Sequence, residues 1–323
     1  MELIRGLHNL QPRHRGCVAT IGAFDGVHRG HQAVFEQLLR EARALALPSA
    51  VIVFEPLPRE YLAPDEAPPR LMSFREKCRA LSRLGVDRLL RIRFDEALRG
   101  MSAAEFAQRI FVEGLGVRRL VIGDDFRFGR EREGGAGFLR ELGEREGFTT
   151  LPTDTFELDG ARVSSTRVRD ALAAGDLALA SRLLGQDYSI SGRVVRGQQL
   201  GRQLGAPTAN VELQRLRSPL SGVFVVRVDG PGFRAAPGVA NVGTRPTVSN
   251  GTRANLEVHL LDRSPDLYGQ HIDVQFLHRL RPEKKYDSLD ALRDAIQDDI
   301  ESAGRWLQNY LQTPLHSMDS SRT

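Results

Sequence analysis

The feature that most constrains the fold is a ten-residue string, GAFDGVHRGH at residues 22–31, which lies between a short apolar run and a helical pattern. The preceding run, CVATI at 17–21, is short and rich in β-branched residues, which predicts a buried strand. From residue 33 to 47 the apolar residues recur at spacings of three and four, which predicts a helix. The string is therefore predicted to turn from a strand into the N-terminus of a helix.

Such a turn suits a phosphate group, because free N–H groups and the helix dipole attract anions and glycines let the backbone approach closely. His28 and His31 add side-chain donors at this point. Adenylyl transfer needs an α-phosphate held for in-line attack and fixed donors for the charge that develops on its oxygens. The string therefore predicts ATP binding.

Two alternatives remain open for these histidines. A His-x-x-His pair on a helix can bind a metal, although no nearby Cys, His or acidic cluster supplies the remaining ligands of a zinc site. The other alternative is that the glycine-rich turn only shapes the backbone and binds no ligand.

The string resembles the HxGH-type signature of the nucleotidylyltransferase superfamily, in the form found in prokaryotic bifunctional riboflavin kinase/FAD synthetases. The resemblance implies a Rossmann-like domain in which His28 and His31 are catalytic. It also implies that ATP contacts Gly22, Phe24, Asp25 and Gly30.

The length of 323 residues suggests two domains, each able to bury its own core. Strand-like runs at 50–54, 88–92 and 119–123 alternate with helical patterns up to about residue 184, which predicts an α/β fold with a doubly wound parallel sheet. Ligands of such sheets bind beyond the carboxyl ends of strands, where Gly22 and Gly123 lie. We expect the loops after both strands to face one cleft.

Two further strings in this half carry charges beside predicted element ends. In GDDFRFGR at 123–130, Asp125 is either a ligand contact or an Asx-turn former. In RVSSTRVR at 162–169, Ser and Thr suit helix caps, but arginines in a first helical turn oppose the dipole unless an anion lies nearby. The strings resemble the second nucleotide-site loop and the SSTxxR-type phosphate motif of the family. The resemblance implies ATP contacts at Asp125, Arg162, Ser165 and Thr166.

The pattern changes near residue 185. Short, partly alternating segments at 188–195, 222–228, 255–261 and 272–280 are separated by Gly, Pro or Asn, which predicts an antiparallel sheet or a small barrel, and the family resemblance described below implies the barrel. An amphipathic helix is predicted from 288 to 311, followed by a polar tail. We therefore predict domains at 1–184 and 185–312, with a disordered tail at 313–323.

The string GRQLGAPTAN at 201–210 places Thr208 and Asn210 two apart, so that on a strand they share a face. A hydroxyl and an amide carbonyl can complete a Mg²⁺ shell whose other ligands are phosphates and water, although a Pro-Thr turn opening a strand has the same sequence. The glycines at 197, 201 and 205 suit either a loop that closes over phosphates, whose charge Arg202 helps to neutralise, or a flexible surface loop.

One carboxylate, Glu257, lies in the otherwise apolar run LEVHL at 256–260. Spacing alone leaves open whether it is a salt-bridged structural residue or a base with a shifted pKa. His259 shares its predicted face. The run NVGTRPT at 241–247 is either a flap or an ordinary hairpin connection.

GRQLGAPTAN, NVGTRPT and LEVHL resemble the PTAN motif, flap and catalytic-glutamate strand of flavokinases. The resemblance implies that Thr208 and Asn210 bind Mg-ATP and that Glu257 is the base for the ribityl hydroxyl. It also implies ATP contacts at Gly201 and Arg202. The chain departs from the family at Ala206, where a larger residue is common, and at Phe224, where Tyr is frequent, which affects ligand packing but removes no catalytic group.

Composition excludes other classes. There is no Gly-x-x-x-x-Gly-Lys-Ser/Thr string, which excludes a P-loop NTPase.

The sequence contains neither a signal-peptide pattern nor an apolar run of about 18 residues, which predicts a cytoplasmic protein without a membrane partner. Cys17 and Cys78 are expected to pack in the interior rather than form a disulfide. The net charge of +4 arises from scattered, mixed charges, so no nucleic-acid partner is expected.

Together with the resemblance, these features predict a cytoplasmic enzyme that phosphorylates riboflavin to FMN and adenylylates FMN to FAD, with Mg²⁺ and ATP and without an obligate protein partner. The alternatives are a chain in which one half is inactive or uses another acceptor, and a basic protein whose barrel binds RNA. Interleaved aromatic and basic residues would support the latter, and the barrel segment lacks them.

Overall fold

The computed structural model describes residues 1–123, 125–197, 204–246 and 252–312. The chain divides into two compact units. The first consists of Met1–Pro68 and Met72–Ser165, and the second of Pro69–Leu71 and the chain from Thr166 onward. The domain boundary predicted after residue 184 stays a prediction. The stretch from Thr166 to residue 184, which precedes this boundary, belongs to the second compact unit.

The first unit contains a six-stranded parallel sheet in the order β1-β4-β3-β2-β5-β6. Its strands are β1 (Glu2–Arg5), β2 (Cys17–Ile21), β3 (Ser49–Phe54), β4 (Arg88–Ile92), β5 (Val117–Ile122) and β6 (Thr149–Pro152). A short hairpin follows, made of β7 (Glu157–Leu158) and β8 (Ala161–Arg162).

Helices cover both faces of this sheet. They are α1 (Arg29–Ala44), α2 (Pro58–Leu62), α3 (Phe74–Arg83), α4 (Glu96–Arg99), α5 (Ala103–Ala107) and α6 (Ala136–Glu146), with a π-helix at Gln108–Gly114. Successive strand residues enter different cores: Val51 belongs to one cluster and Ile52 to the other, as do Leu89 and Leu90. The alternation shows a sheet buried on both faces, which confirms the predicted doubly wound fold.

The strand order creates a crevice at β2. This strand pairs with β3 on one side and with β5 on the other, so the connections that leave the carboxyl ends of β2 and β5 run in different directions. The predicted phosphate-binding turn follows β2, and the loop containing Asp125 follows β5. The topology therefore brings two of the predicted segments to one edge.

The second unit contains a closed antiparallel barrel of six strands in the order β10-β13-β12-β11-β14-β9, as predicted. The strands are β9 (Ser189–Val195), β10 (Ala209–Glu212), β11 (Gly222–Gly230), β12 (Phe233–Pro246), β13 (Thr252–Leu260) and β14 (His271–Arg281). The helices are α7 (Ser165–Ala174), whose first residue still belongs to the first unit, α8 (Leu177–Leu184) and α9 (Leu289–Gln312). Helix α9 packs against the barrel: its Ala303 is fully buried, and Ile300 and Leu307 contact buried barrel residues.

The sequence did not predict β12 as a strand. Residues 241–246, expected to form a flap or a connection, continue this strand and pair with β13. The connection was wrong for these residues, whereas the flap stays a prediction. Thr247 lies outside the described part of the chain, as does the predicted tail at 313–323.

Two other expectations concern the whole chain. Cys17 is buried and Cys78 half-buried, and both are free thiols, as predicted. Within the described ranges, no helix combines the length and the apolar character needed to cross a bilayer.

Candidate active sites

The turn that follows β2 holds an unusual backbone. Phe24 and Val27 have φ angles of 45° and 42°, in the left-handed region that residues with side chains seldom adopt. At Gly22 a β-carbon would lie only 3.0–3.3 Å from ring atoms of Phe24. The turn is thus tightly packed on itself, and a side chain at Gly22 would displace Phe24.

His28 begins α1 as its N-cap residue, and its Nδ1 accepts a hydrogen bond of 3.3 Å from the backbone N–H of His31. The two imidazoles stack with centroids 3.6 Å apart and planes 19° from parallel. A β-carbon at Gly30 would lie 3.3 Å from the ring of His28 and 3.2 Å from the Val163 carbonyl oxygen. Glycine at this position therefore permits the close approach of the His28 ring and of the Val163 carbonyl oxygen.

Burial sets the charge state of His31. It lowers the pKa of this imidazole well below its usual value of 6.5, and the nearby charges of His28, Lys77 and Arg162 act in the same direction. Phe24 packs edge-on against the ring at 5.2 Å between centroids. Within the described chain the His31 Nδ1 is buried and has no hydrogen-bond partner. The geometry thus provides a neutral imidazole with an unused polar atom.

Asp25 is a structural part of the turn. Its side chain is buried, its Oδ1 accepts a hydrogen bond of 3.1 Å from the Met72 N–H, and its carbonyl oxygen accepts one of 2.8 Å from the Ser165 hydroxyl. These bonds attach the turn to the segment before α3 and to the start of α7. They favour a positioning role for Asp25 over direct contact with a ligand.

A cavity of about 310 Å³, here called the first cavity, opens beside the turn. Six of the predicted residues line it: His28, Gly30, His31, Asp125, Arg162 and Ser165. Gly22, Phe24, Asp25 and Thr166 are not among its lining residues. Arg162 and Asp125 form an ion pair of 3.1 Å in which both side chains are more than half exposed. An exposed pair contributes little stability, so the guanidinium can exchange this partner for an anion at small cost.

Sequence reasoning missed one wall of the first cavity. This wall is the segment after β6, consisting of Thr153, Asp154, Thr155 and Phe156. The segment carries no motif. The signal that identifies it is topological, because β6 pairs parallel to β5 and its carboxyl end lies at the same edge of the sheet.

A second cavity, of about 230 Å³, lies in the barrel unit. Asn210 of β10 is directly opposite Glu257 of β13 in the strand register, and both line this cavity with Thr208. The Glu257 carboxylate accepts hydrogen bonds from the Thr208 hydroxyl at 3.3 Å and from the Asn255 amide at 2.9 Å. The buried Asn210 Oδ1 has no hydrogen-bond partner in the described part of the chain. The structure thus gathers the predicted oxygen donors at one point.

Other residues complete the second cavity. His259 Nδ1 lies 2.9 Å from the Pro207 carbonyl oxygen, which only accepts, so the proton is on that nitrogen. Ala206 lines the cavity, whereas Phe224 is buried elsewhere in the barrel, with its ring 5.3 Å from that of Phe276. Gly201 and Arg202, the predicted ATP contacts, lie outside the described residues.

Sequence reasoning missed the helical wall of the second cavity. Leu292, Ile296 and Ile300 supply apolar surface from α9. Beside them Arg281 donates two hydrogen bonds, of 2.8 and 2.7 Å, to the buried carboxylate of Asp299. The cavity therefore combines an apolar wall with a cluster of oxygen donors.

A third cavity, of about 310 Å³, shares Thr208 with the second. Its other lining residues include Arg263, Ser264 and Tyr268. Thr208 thus lies where two cavities of the barrel unit meet, an arrangement that suits transfer between two substrates.

Comparison with known proteins matches each half to a different family. Residues 10–167 match the family model described as FAD synthetase, and residues 184–307 match the one described as riboflavin kinase. A curated bifunctional riboflavin kinase/FMN adenylyltransferase of Pseudomonas fluorescens is 55% identical over 303 residues, covering 94% of this chain and 97% of that protein. The protein of the same description from Escherichia coli K12 is 51% identical over 300 residues, covering 93% and 96%.

A solved structure has the same architecture over nearly the whole chain. It is described as a macrolide-efflux protein from Streptococcus pneumoniae and is 30% identical in sequence, with a TM-score of 0.78. The match covers 95% of this chain and 100% of the other.

Proposed function

This chain belongs to the bifunctional riboflavin kinase/FMN adenylyltransferase family and carries both activities, and from that premise we propose that each unit holds one complete active site. The observation that carries the proposal is the separation of the motif residues into two sets. His28, His31 and Arg162 line the first cavity, whereas Thr208 and Glu257 line the second. Each set has the chemistry of one reaction.

In the first cavity we assign adenylyl transfer. A phosphate oxygen of FMN attacks the α-phosphorus of ATP, a new P–O bond forms, and the bond to the β-phosphate oxygen breaks to release pyrophosphate. His28 and His31 donate to the α-phosphate oxygens at the N-terminus of α1, where the dipole favours negative charge. Arg162 and Ser165 hold the remaining phosphates. For this, the Arg162 guanidinium gives up its ion pair with Asp125 and pairs with a phosphate instead.

In the second cavity we assign phosphoryl transfer. The terminal ribityl hydroxyl of riboflavin attacks the γ-phosphorus of ATP, and ADP leaves. Glu257 accepts the proton of that hydroxyl, and the hydrogen bonds from Thr208 and Asn255 hold its carboxylate in place. The apolar wall of α9 suits a flat ring system, and the third cavity beside Thr208 offers space for the second substrate.

The donors at the second cavity fit Mg²⁺. A hydroxyl and an amide oxygen are hard ligands, and the buried Asn210 Oδ1 lacks a hydrogen-bond partner in the described chain, as expected for an atom reserved for a cation. Thr208 and Asn210 would hold the ion. When bound, it neutralises charge on the transferred phosphate.

The proposal is tested by separating flavins chromatographically after incubation with ATP and Mg²⁺, starting from riboflavin and, separately, from FMN. We expect His31→Ala to stop FAD formation while FMN still accumulates from riboflavin. Glu257→Ala should stop FMN formation while added FMN is still converted to FAD. Each variant's remaining activity shows that its other unit is folded, and an unfolding transition equal to that of the unaltered chain is the control for the altered unit. Loss of both activities in either variant would contradict separate sites.

We propose that the enzyme acts in the cytoplasm and without a nucleic-acid partner. The support for the second part is that basic and acidic residues are mixed along the whole sequence. Salt-sensitive binding of RNA by the purified protein would overturn this part of the proposal.

A further inference from the structure

We propose that Lys77 of α3 is a positioning residue for adenylyl transfer, holding the turn after β2 in the conformation that orients His28 and His31. The inference rests on the adenylylation site proposed above. Lys77 is not among the residues that line the first cavity, and no sequence motif singles it out.

The first observation is a buried ammonium bonded to the turn. Lys77 is 1% exposed, and its Nζ donates a hydrogen bond of 2.6 Å to the carbonyl oxygen of Ala23. Burying a charge is costly unless it is paired and hydrogen-bonded, so a buried lysine at this point needs a reason beyond filling space.

The second observation is the backbone conformation next to this bond. Ala23 precedes Phe24, whose φ of 45° is unfavourable for a residue with a side chain. Strained backbone persists only where the surroundings over-determine it. The Lys77 bond fixes one end of the turn, and the bonds of Asp25 to Met72 and Ser165 fix the next residues.

The third observation connects the turn to the imidazoles. The Phe24 ring packs against His31 at 5.2 Å and against Phe35 at 4.8 Å between centroids. A shift of the Ala23 carbonyl therefore moves Phe24. The His31 ring then loses its packing contact with the Phe24 ring. His28 follows, because it stacks on His31.

The residue type supports a specific role. Only three of the 45 Lys and Arg residues in this chain are lysines. The ammonium is a compact donor, whereas a guanidinium is a wide planar fork. At a fully buried position the compact group is the one that fits beneath a turn, which accounts for a lysine in an arginine-rich chain.

The test compares Lys77→Met, which keeps the length of the side chain and removes its charge and donor, with Ser49→Ala. Ser49 is a buried polar residue of the same unit, at the start of β3, whose hydroxyl donates to Asp87 at 2.7 Å. Both variants remove hydrogen bonds of a buried side chain, one at Lys77 and two at Ser49, but only Lys77→Met affects the turn. The measurements are kcat and KM for ATP and FMN in adenylyl transfer, with riboflavin phosphorylation in the same samples.

We expect Lys77→Met to lower kcat for adenylyl transfer by about 100-fold, the effect of a misplacement of about 1 Å, with KM changed less than about threefold. Ser49→Ala should retain adenylyl transfer, and both variants should retain phosphorylation. Lys77→Gln, which keeps a donor for Ala23, should recover part of the lost kcat.

A Lys77→Met enzyme with kcat close to that of the unaltered chain would overturn the proposal, and so would a change confined to KM. If Lys77→Met does not fold, Lys77→Gln decides instead, and a change of that variant confined to KM would overturn the proposal. Failure of the unaltered chain and of Ser49→Ala to form FAD would contradict the proposed function rather than this inference.

Discussion

At the scale of single residues, the proposed chemistry depends on groups that the fold removes from water. His31 lacks a hydrogen-bond partner at Nδ1 and Asn210 lacks one at Oδ1 within the described chain, although both atoms are buried. Leaving a buried polar atom unsatisfied costs free energy, which natural proteins accept where a ligand supplies the missing partner. The two atoms lie in residues that line the first and second cavities respectively, so each marks one proposed site.

One prediction at the scale of single residues concerns the titration of His31. Because burial holds its folded-state pKa well below 6.5, the ring should stay neutral from pH 8 to pH 6 in the folded protein. In the unfolded chain the same residue binds a proton near pH 6.5. Protonation therefore favours unfolding, and stability falls as the pH drops below about 6.5, by at most about 1.4 kcal/mol per pH unit from this residue.

This prediction is checked by urea unfolding of the protein and of His31→Gln at several values between pH 5 and pH 7.5. The free energy of unfolding of the variant should decrease less steeply below pH 6.5. An imidazole signal of His31 that titrates near pH 6.5 in the NMR spectrum of the folded protein would show that the ring is not held neutral.

At the scale of elements, the sites depend on how closely the backbone of one segment approaches its neighbour. The segment after β9 passes over β10, and a β-carbon built at Gly197 would lie 2.4 Å from the side-chain carbon and nitrogen of the Asn210 amide. The absence of a side chain at Gly197 therefore leaves room for the amide in its buried position. Spacing in the sequence suggested this glycine for a phosphate loop, and the contact gives it a packing role.

We expect Gly197→Ala to lower the rate of riboflavin phosphorylation at least about tenfold, because the added methyl group displaces the proposed Mg²⁺ ligand. The Mg²⁺ concentration needed for half-maximal rate should rise. Adenylyl transfer from added FMN should be unchanged. Gly232→Ala is a matched control: Gly232 lies in the β11–β12 turn of the same barrel, and its β-carbon would meet no atom within 4 Å. Because Gly232 has a φ of 80°, this control carries the backbone strain of an added side chain without the clash.

At the scale of the whole molecule, the two units have different architectures and, in our proposal, complete separate sites. The parallel sheet brings the residues of the first proposed site together at the carboxyl ends of β2 and β5, whereas the barrel brings those of the second together across the register of β10 and β13. Neither described set of cavity residues draws on the other unit.

We therefore expect two inactive chains to complement each other in solution. A mixture of His31→Ala and Glu257→Ala proteins should convert riboflavin to FAD through released FMN, with a lag that shortens as the concentration of the Glu257→Ala protein rises. Each variant alone should form no FAD from riboflavin. A mixture that accumulates FMN without FAD would contradict independent sites.

The sequence alone determined the fold class of each unit and predicted part of the lining of each cavity, six residues in the first and Thr208, Asn210 and Glu257 in the second. Strand and helix patterns are local, and each of the motif strings at 22–31, 162–169 and 201–210 keeps several candidate site residues close together in the sequence. For the same reason the sequence failed where function depends on residues without a local pattern. The segment after β6 and the wall supplied by α9 reach their cavities only through strand pairing and helix packing.

Only the tertiary structure decided the environment of the predicted residues. It placed His28 and His31 in a stack, buried Asp25 as an anchor of the turn, continued β12 through residues 241–246 and brought Lys77 to the Ala23 carbonyl from a distant helix. The identity of a residue is fixed by the chain. Its charge state, its hydrogen-bond partners and its freedom to move depend on desolvation and close packing, which arise from segments far apart in sequence.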